Sequence, residues 1–198
     1  MFVQVIEGHV ADADRLHRQM DEWMETLRPG ATGFLGSTAG VADDGHAICF
    51  ARFESAAAAR ANSNRPEQGQ WWADTESCFD GEVTFTDSED VDTYLAGGSN
   101  DAGFVQVMKS HDVDREQVQA MDREFEAVAA TFRPDLIGGT RVWTGPDTCI
   151  DVAYFTSEAE AREGERKEMP PEFADRAGEF EEMMKNTEFL DLHQPWLY

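Results

Sequence analysis

Phe2-Val3-Gln4-Val5 recurs as Phe104-Val105-Gln106-Val107, 102 positions later, and this echo decides the fold. The same offset joins His9 to His111, Gly36 to Gly138, Thr38 to Thr140, Phe53 to Phe155, Ser55 to Ser157 and Arg60 to Arg162. One repeated tetrapeptide is chance; an offset held across most of a hundred-residue unit marks an internal duplication. Between these anchors Arg28-Pro29 matches Arg133-Pro134 at an offset of 105. Counting back from each pair gives two parallel stripes, Leu16, Met20, Trp23, Leu27 and Met121, Phe125, Val128, Phe132. Both run i, i+4, i+7, i+11, one face of an amphipathic helix. The first helix of the second copy should therefore be about one turn longer.

Each copy reads β-α-β-β-α-β. The first strand gives way at Asp12 or Asp14, N-caps for the first helix, and Pro29-Gly30 ends that helix. Asp43-Asp44-Gly45 is a hairpin turn between strands near 33–41 and 46–53. Ser55 caps an alanine-rich second helix, which Asn62-Ser63-Asn64-Arg65-Pro66 interrupts before it resumes through Trp71, Trp72 and Cys78. The last strand is Val83-Thr84-Phe85-Thr86 in the first copy and lies at 188–192 in the second. The division is then an N-terminal repeat at 1–95, a small, polar linker at 96–103 and a C-terminal repeat at 104–198.

Bulk composition excludes several function classes. Forty acidic residues against sixteen basic ones give a net charge of −24, which repels phosphate backbones and anionic headgroups. Neither nucleic acid nor a membrane is expected as a partner. The acidity fits salt adaptation or ordinary solubility. Cys49, Cys78 and Cys149 are odd in number and lack C-x-x-C spacing, which argues against a disulfide framework or zinc knuckle and suits a reducing cytoplasm. The opening Met1-Phe2-Val3-Gln4-Val5-Ile6-Glu7 reads as a strand rather than a signal peptide. No nucleotide-binding, zinc-protease or serine-hydrolase motif occurs.

A βαββαβ unit of this size, occurring in pairs and carrying Phe34-Leu35-Gly36 and Arg52-Phe53-Glu54-Ser55, resembles the dimeric α+β barrel, or ferredoxin-like, superfamily. More narrowly it is similar to antibiotic-biosynthesis monooxygenase-type domains. The resemblance implies an α+β fold in which two tandem repeats form an intramolecular dimeric α+β barrel, one chain supplying both sheets. It also implies a choice of functions: cofactor-independent oxygenation of aromatic polyketides, haem degradation or peroxidation, or no catalysis. Haem-handling relatives hold iron through a histidine on the second helix, and 55–80 and 157–186 contain none. No cofactor is expected.

The candidate residues each carry two readings. His9 and His111, with Asp12 and Asp114 three residues on, could bind a divalent metal, or the aspartates cap helices and the histidines are solvated; no metal is expected. Gln4 and Gln106 are amides in apolar strands, set in a fixed polar network or facing a ligand. More telling are positions where the copies differ, since the shared fold does not explain them. Arg52 stands opposite Tyr154 in the repeat alignment and Cys49 opposite Asp151; Arg52 and Asp151 must be paired, even with each other, or face a wet cavity. Trp71-Trp72 in the first copy has Pro170-Pro171-Glu172-Phe173 near its counterpart position. Adjacent tryptophans point about 100° apart on a helix, so one lines a cavity or both pack separately. The ligand-binding set is Gln4, Arg52, Trp71, Trp72, Asp151 and Tyr154, with the N-terminal copy carrying the pocket; no catalytic residue stands out. The sequence reads as a small-molecule-binding protein resembling cofactor-independent monooxygenases and taking a planar ligand. The alternative is a non-catalytic barrel acting as a ligand-binding or protein-interaction module. Either would be a monomer or a homodimer of the fused pair.

Overall fold

The computed structural model describes residues 1–168, 170, 173 and 176–198. It is α+β, with ten strands in two antiparallel sheets and six α-helices among the described residues. The chain forms two compact units, Met1–Val91 with Gln194–Tyr198, and Asp92–His193.

Unit 1 contains β1 (Phe2–His9), α1 (Ala13–Thr26), β2 (Phe34–Val41), β3 (His46–Phe53), α2 (Ala56–Ser63), α3 (Pro66–Glu76), β4 (Thr84–Ser88) and, from the chain's end, β10 (Trp196–Leu197). Local chemistry sets these boundaries. The Asp12 carboxylate accepts from the Arg15 backbone N–H and starts α1; the Ser55 hydroxyl accepts from the Ala58 N–H and starts α2. Pro66 opens α3, where its missing N–H costs nothing. The expected interruption at 62–66 thus divides two helices, the second ending at Glu76, just short of Cys78. Leu16, Trp23 and Leu27 of the α1 stripe are buried. At Asp43-Asp44-Gly45 the chain turns with Gly45 at φ 87°, a conformation glycine adopts freely.

Unit 2 follows the same plan: β6 (Phe104–Ser110), α4 (Arg115–Phe132), β7 (Leu136–Trp143), β8 (Cys149–Phe155), α5 (Glu158–Glu165), α6 (Ala177–Lys185) and β9 (Thr187–Leu192), joined by β5 (Val91–Leu95). Helix α4 has 18 residues against 14 in α1, the extra turn that the drifting offset implied. The sheets run β10-β2-β3-β1-β4 and β5-β7-β8-β6-β9, and together they fit a tandem ferredoxin-like arrangement.

Two short strands were not expected, and they change the boundaries. β5 lies at the end of the first repeat in sequence but extends the second sheet, while β10, the last strand, pairs with β2 of the first. Tyr94 and Trp196 stand 102 positions apart, so the repeats exchange their last strands. The 1–95 and 104–198 division describes the sequence repeat; the compact units differ from it by that exchange. No described helix is long and apolar enough to cross a membrane.

Candidate functional site

Strand alternation decides which side chains can meet. Across β1, β3 and β2 of unit 1, Gln4 pairs with Ala51 and Ala51 with Ser37, so the three form one row on one face. Ile6, Cys49 and Ala39 form the next row. A β-bulge between Phe34 and Gly36 sets this phase: the extra residue, Leu35, is exposed, and Ser37 rather than Gly36 joins the Gln4 row. Gly36 makes the bulge possible. Its φ is 135°, and a Cβ there would overlap the Tyr198 carbonyl.

Over this face lies a cavity of about 90 Å³, lined on the sheet side by Gln4, Ile6, Ser37, Ala39 and Cys49 and on the helix side by Leu16, Met20, Trp23, Trp71 and Trp72, with Trp196 of β10 also in its wall. The small residues at 39, 49 and 51 leave the space, and the aromatic groups frame it. The Trp71 indole N–H donates to the Gln19 carbonyl at 2.9 Å, and the Trp23 N–H donates to Gln68 Oε1 at 2.6 Å, so both rings are fixed by their polar edges. Trp72 has its ring 6.2 Å from that of Trp71 and meets Phe85 edge-on at 5.1 Å. The Trp196 indole stacks on the His17 imidazole, centroids 4.4 Å apart and planes 5° from parallel.

The polar groups of this lining are all uncharged among the described residues. The Gln4 amide N–H donates to Asp87 at 2.8 Å, and Gln106 does the same to Asp191 at 2.9 Å in unit 2, the duplicated network that the sequence allowed. Burial pushes the Cys49 thiol up to about 12, against the opposing pull of the Arg52 charge, so it is neutral. Ser37 is the exception to polar satisfaction. Its residue is 2% exposed, and its hydroxyl faces the cavity with no hydrogen-bond partner.

The structure brings Gln4, Trp71 and Trp72 together and leaves Arg52, Asp151 and Tyr154 elsewhere. Arg52 pairs with Val3, on the opposite face from Gln4, and donates to the Thr38 hydroxyl at 2.8 Å. Asp151 lies in unit 2, where its carboxylate is 2.8 Å from Arg141 Nε. Burial works against the Arg141 charge, but the carboxylates of Asp151 and Asp122 outweigh it and hold the guanidinium above its usual range. Tyr154, 1% exposed, sits on the other face from Asp151 because the two are an odd number of residues apart in β8. In the comparison segment at 170–173, Pro171 and Glu172 lie outside the described residues. Asp12 and Asp114 cap α1 and α4, as one of the two readings had it. His9 packs near His46, and His111 lies 3.0 Å from Asp112. Among the described residues no three His, Cys, Asp or Glu side chains gather as a metal site.

Comparison with solved structures gives this architecture a context. A candidate monooxygenase from Lactobacillus acidophilus NCFM superposes with TM-score 0.69 at 13% identity, covering 100% of this chain and 98% of the other. An anthrone oxidase-like protein matches with TM-score 0.62 at 11% identity, over 99% and 92% of the two chains. An uncharacterised ferredoxin-fold protein from Listeria monocytogenes, related to antibiotic biosynthesis monooxygenases, matches with TM-score 0.50 at 11% identity over 98% and 95%. The chain shares with these structures the ferredoxin-like α+β fold. No family model matches its sequence, and no curated protein matches it either. At these identities the monooxygenase-like likeness is one of fold, and the chemistry has to be argued from the cavity.

Proposed function

We propose that the protein binds one planar, largely apolar, neutral small molecule in the sheet–helix cavity of unit 1, as the substrate of a cofactor-independent oxygenation. The unpartnered Ser37 hydroxyl carries this reading. A buried hydroxyl without a partner costs about 1–3 kcal/mol, and a ligand that hydrogen-bonds to it recovers that cost. Trp71 and Trp72 supply flat apolar walls, and the uncharged lining favours a neutral molecule over an anion.

The same lining limits the chemistry. Among the described residues it contains no carboxylate and no imidazole, so on this reading the substrate reaches its carbanion by its own acidity. Anthrone, suggested by the description of one structural neighbour, is such a molecule: planar, neutral and acidic at its methylene. Its oxygenation balances as one anthrone and one dioxygen giving anthraquinone and water, the substrate supplying every electron. The protein's part is to orient the ring, hydrogen-bond its oxygen from Ser37 and exclude water. The three free cysteines and the acidic surface suit a reducing cytoplasm.

The uncharged lining also favours a second reading, a binding module without turnover. Calorimetry with anthrone under argon, followed by oxygen-uptake measurements, separates the two. Binding that Trp72→Ala and Ser37→Ala each weaken about tenfold, with Tyr154→Phe unchanged, supports the site. Uptake of one dioxygen per anthrone, faster than in buffer and slowed by the same two substitutions, supports oxygenation; binding without faster uptake leaves the module. Binding sensitive only to Tyr154 or Asp151 would overturn the assignment to unit 1.

A further inference from the structure

The two sheets share their register, so the counterpart of the unit 1 cavity can be located in unit 2 position by position. Gln106, Ala153 and Gly139 form the row that corresponds to Gln4, Ala51 and Ser37. The next row is Met108, Asp151 and Arg141, where unit 1 has Ile6, Cys49 and Ala39. The two small, uncharged residues of unit 1 are therefore replaced by an ion pair: Arg141 contacts Asp151 at 2.8 Å and reaches Asp122 on α4, and its guanidinium carbon lies 5.7 Å from the Tyr94 ring. Tyr94 comes from β5, the exchanged strand. Its ring lies so close over Gly139 that a Cβ at that position would overlap it.

We infer that unit 2 plugs its own cavity with the Tyr94 ring and the Arg141–Asp151 pair, so that each chain carries one ligand site rather than two. Gly139 is what admits the plug, and Ser37 at the matching position of unit 1 excludes one. The exchanged strands determine the outcome: Trp196 reaches unit 1 as cavity wall, whereas Tyr94 reaches unit 2 as filler. The statement about ligand number rests on the proposed site in unit 1; the statement about packing in unit 2 does not.

Two experiments keep these apart. The first is a double-mutant cycle on thermal stability, with no ligand present. Gly139→Ala should lower the melting temperature strongly in the wild-type background and far less beside Tyr94→Gly, because the side chain it meets has gone. Equal effects in both backgrounds would overturn the plug. The second restores the missing ring: p-cresol, the side chain of tyrosine as a free molecule, should raise the melting temperature of Tyr94→Gly beyond any rise in wild type or Tyr94→Phe, and crystals should hold it over Gly139. Cresol absent from unit 2, or a rise no larger than in wild type, counts against the inference. Anthrone binding at two equivalents per wild-type chain would overturn the single site, whereas no anthrone binding with a coupled cycle would remove only the reading of unit 1.

Discussion

At the scale of single residues, the two groups that face the cavity with most to reveal are Ser37 and Cys49. A hydroxyl kept dry and unpartnered is a cost to the empty protein, so Ser37→Ala should leave it as stable or raise its stability by about 1 kcal/mol, while weakening any ligand that bonds there. Chemical denaturation of the two proteins without ligand measures this; a loss of 1 kcal/mol or more would mean that the hydroxyl already has a partner. Cys49 makes the opposite point, since proximity to a site does not make a thiol reactive. With its pKa near 12, only about one thiol in ten thousand is ionised at pH 8. Small uncharged alkylating reagents should therefore label it far more slowly than an unfolded control, and rapid labelling in the native state would mean that the thiol is open to solvent and ionises readily. The role of Ser37 was not legible in the sequence. Trp71 and Trp72 advertised themselves by adjacency, but a lone serine in a strand does not, and the bulge at Leu35 reverses the faces of everything after it. Arg52 stands near the tryptophans in sequence yet on the opposite face of the sheet for a related reason: in a strand, one step changes the face.

Among the elements, helices and long strands followed from local pattern. The α1 stripe, the aspartate caps of α1 and α4 and the difference of one turn between them were readable, because each depends on residues close in sequence; in α4 the buried residues are Val118 and Ala129, and Met121, Phe125, Val128 and Phe132 are only half-buried. β5 and β10 were not. They are five and two residues long, and what makes them strands is the open edge of a sheet built from distant sequence. Asp92 shows how β5 is held: its carboxylate accepts from the Trp143 indole at 2.8 Å and the Gln119 amide at 3.0 Å, with Arg115 at 3.8 Å. Burial pushes its pKa up, but these donors and the neighbouring arginines outweigh it and hold the carboxyl below its usual range. The sign then follows. A depressed carboxyl contributes stability that is present above the ordinary value of about 3.9 and is lost as the pH falls through its folded value. Asp92→Asn should cost about 1–2 kcal/mol at pH 7, a figure kept modest because the side chain is one-third exposed, and the gap to wild type should narrow at about pH 3, below the ordinary carboxylate value. Urea titrations at the two pH values test this; a gap that stays constant would assign the effect to packing of β5 rather than to charge.

For the whole molecule, charge is the property that no local argument reaches. Sixteen basic residues can neutralise at most sixteen of the forty acids one to one, so 24 negative charges remain whatever pairs form. The pairs that do form are mostly at the surface, such as Arg176 with Glu124 and Glu179 or Lys185 with Glu182, and exposed pairs contribute little each. Self-repulsion among the remainder opposes the compact state, and salt weakens it as the screening length falls from about 30 Å at 0.01 M to about 3 Å at 1 M. Two terms thus compete when salt is added: the loss of surface pairs, which destabilises, and the loss of repulsion, which stabilises. The excess of acids makes the second larger. The melting temperature should rise by several degrees between 20 mM and 0.5 M sodium chloride, with most of the gain complete before 0.2 M, where screening already reaches typical spacings between surface charges. Potassium chloride should give the same curve, because screening depends on ionic strength rather than on the cation. A steady rise continuing to molar concentrations would indicate adaptation to a saline interior instead, and a melting temperature that falls with salt would mean that the ion pairs, few as they are, outweigh the repulsion.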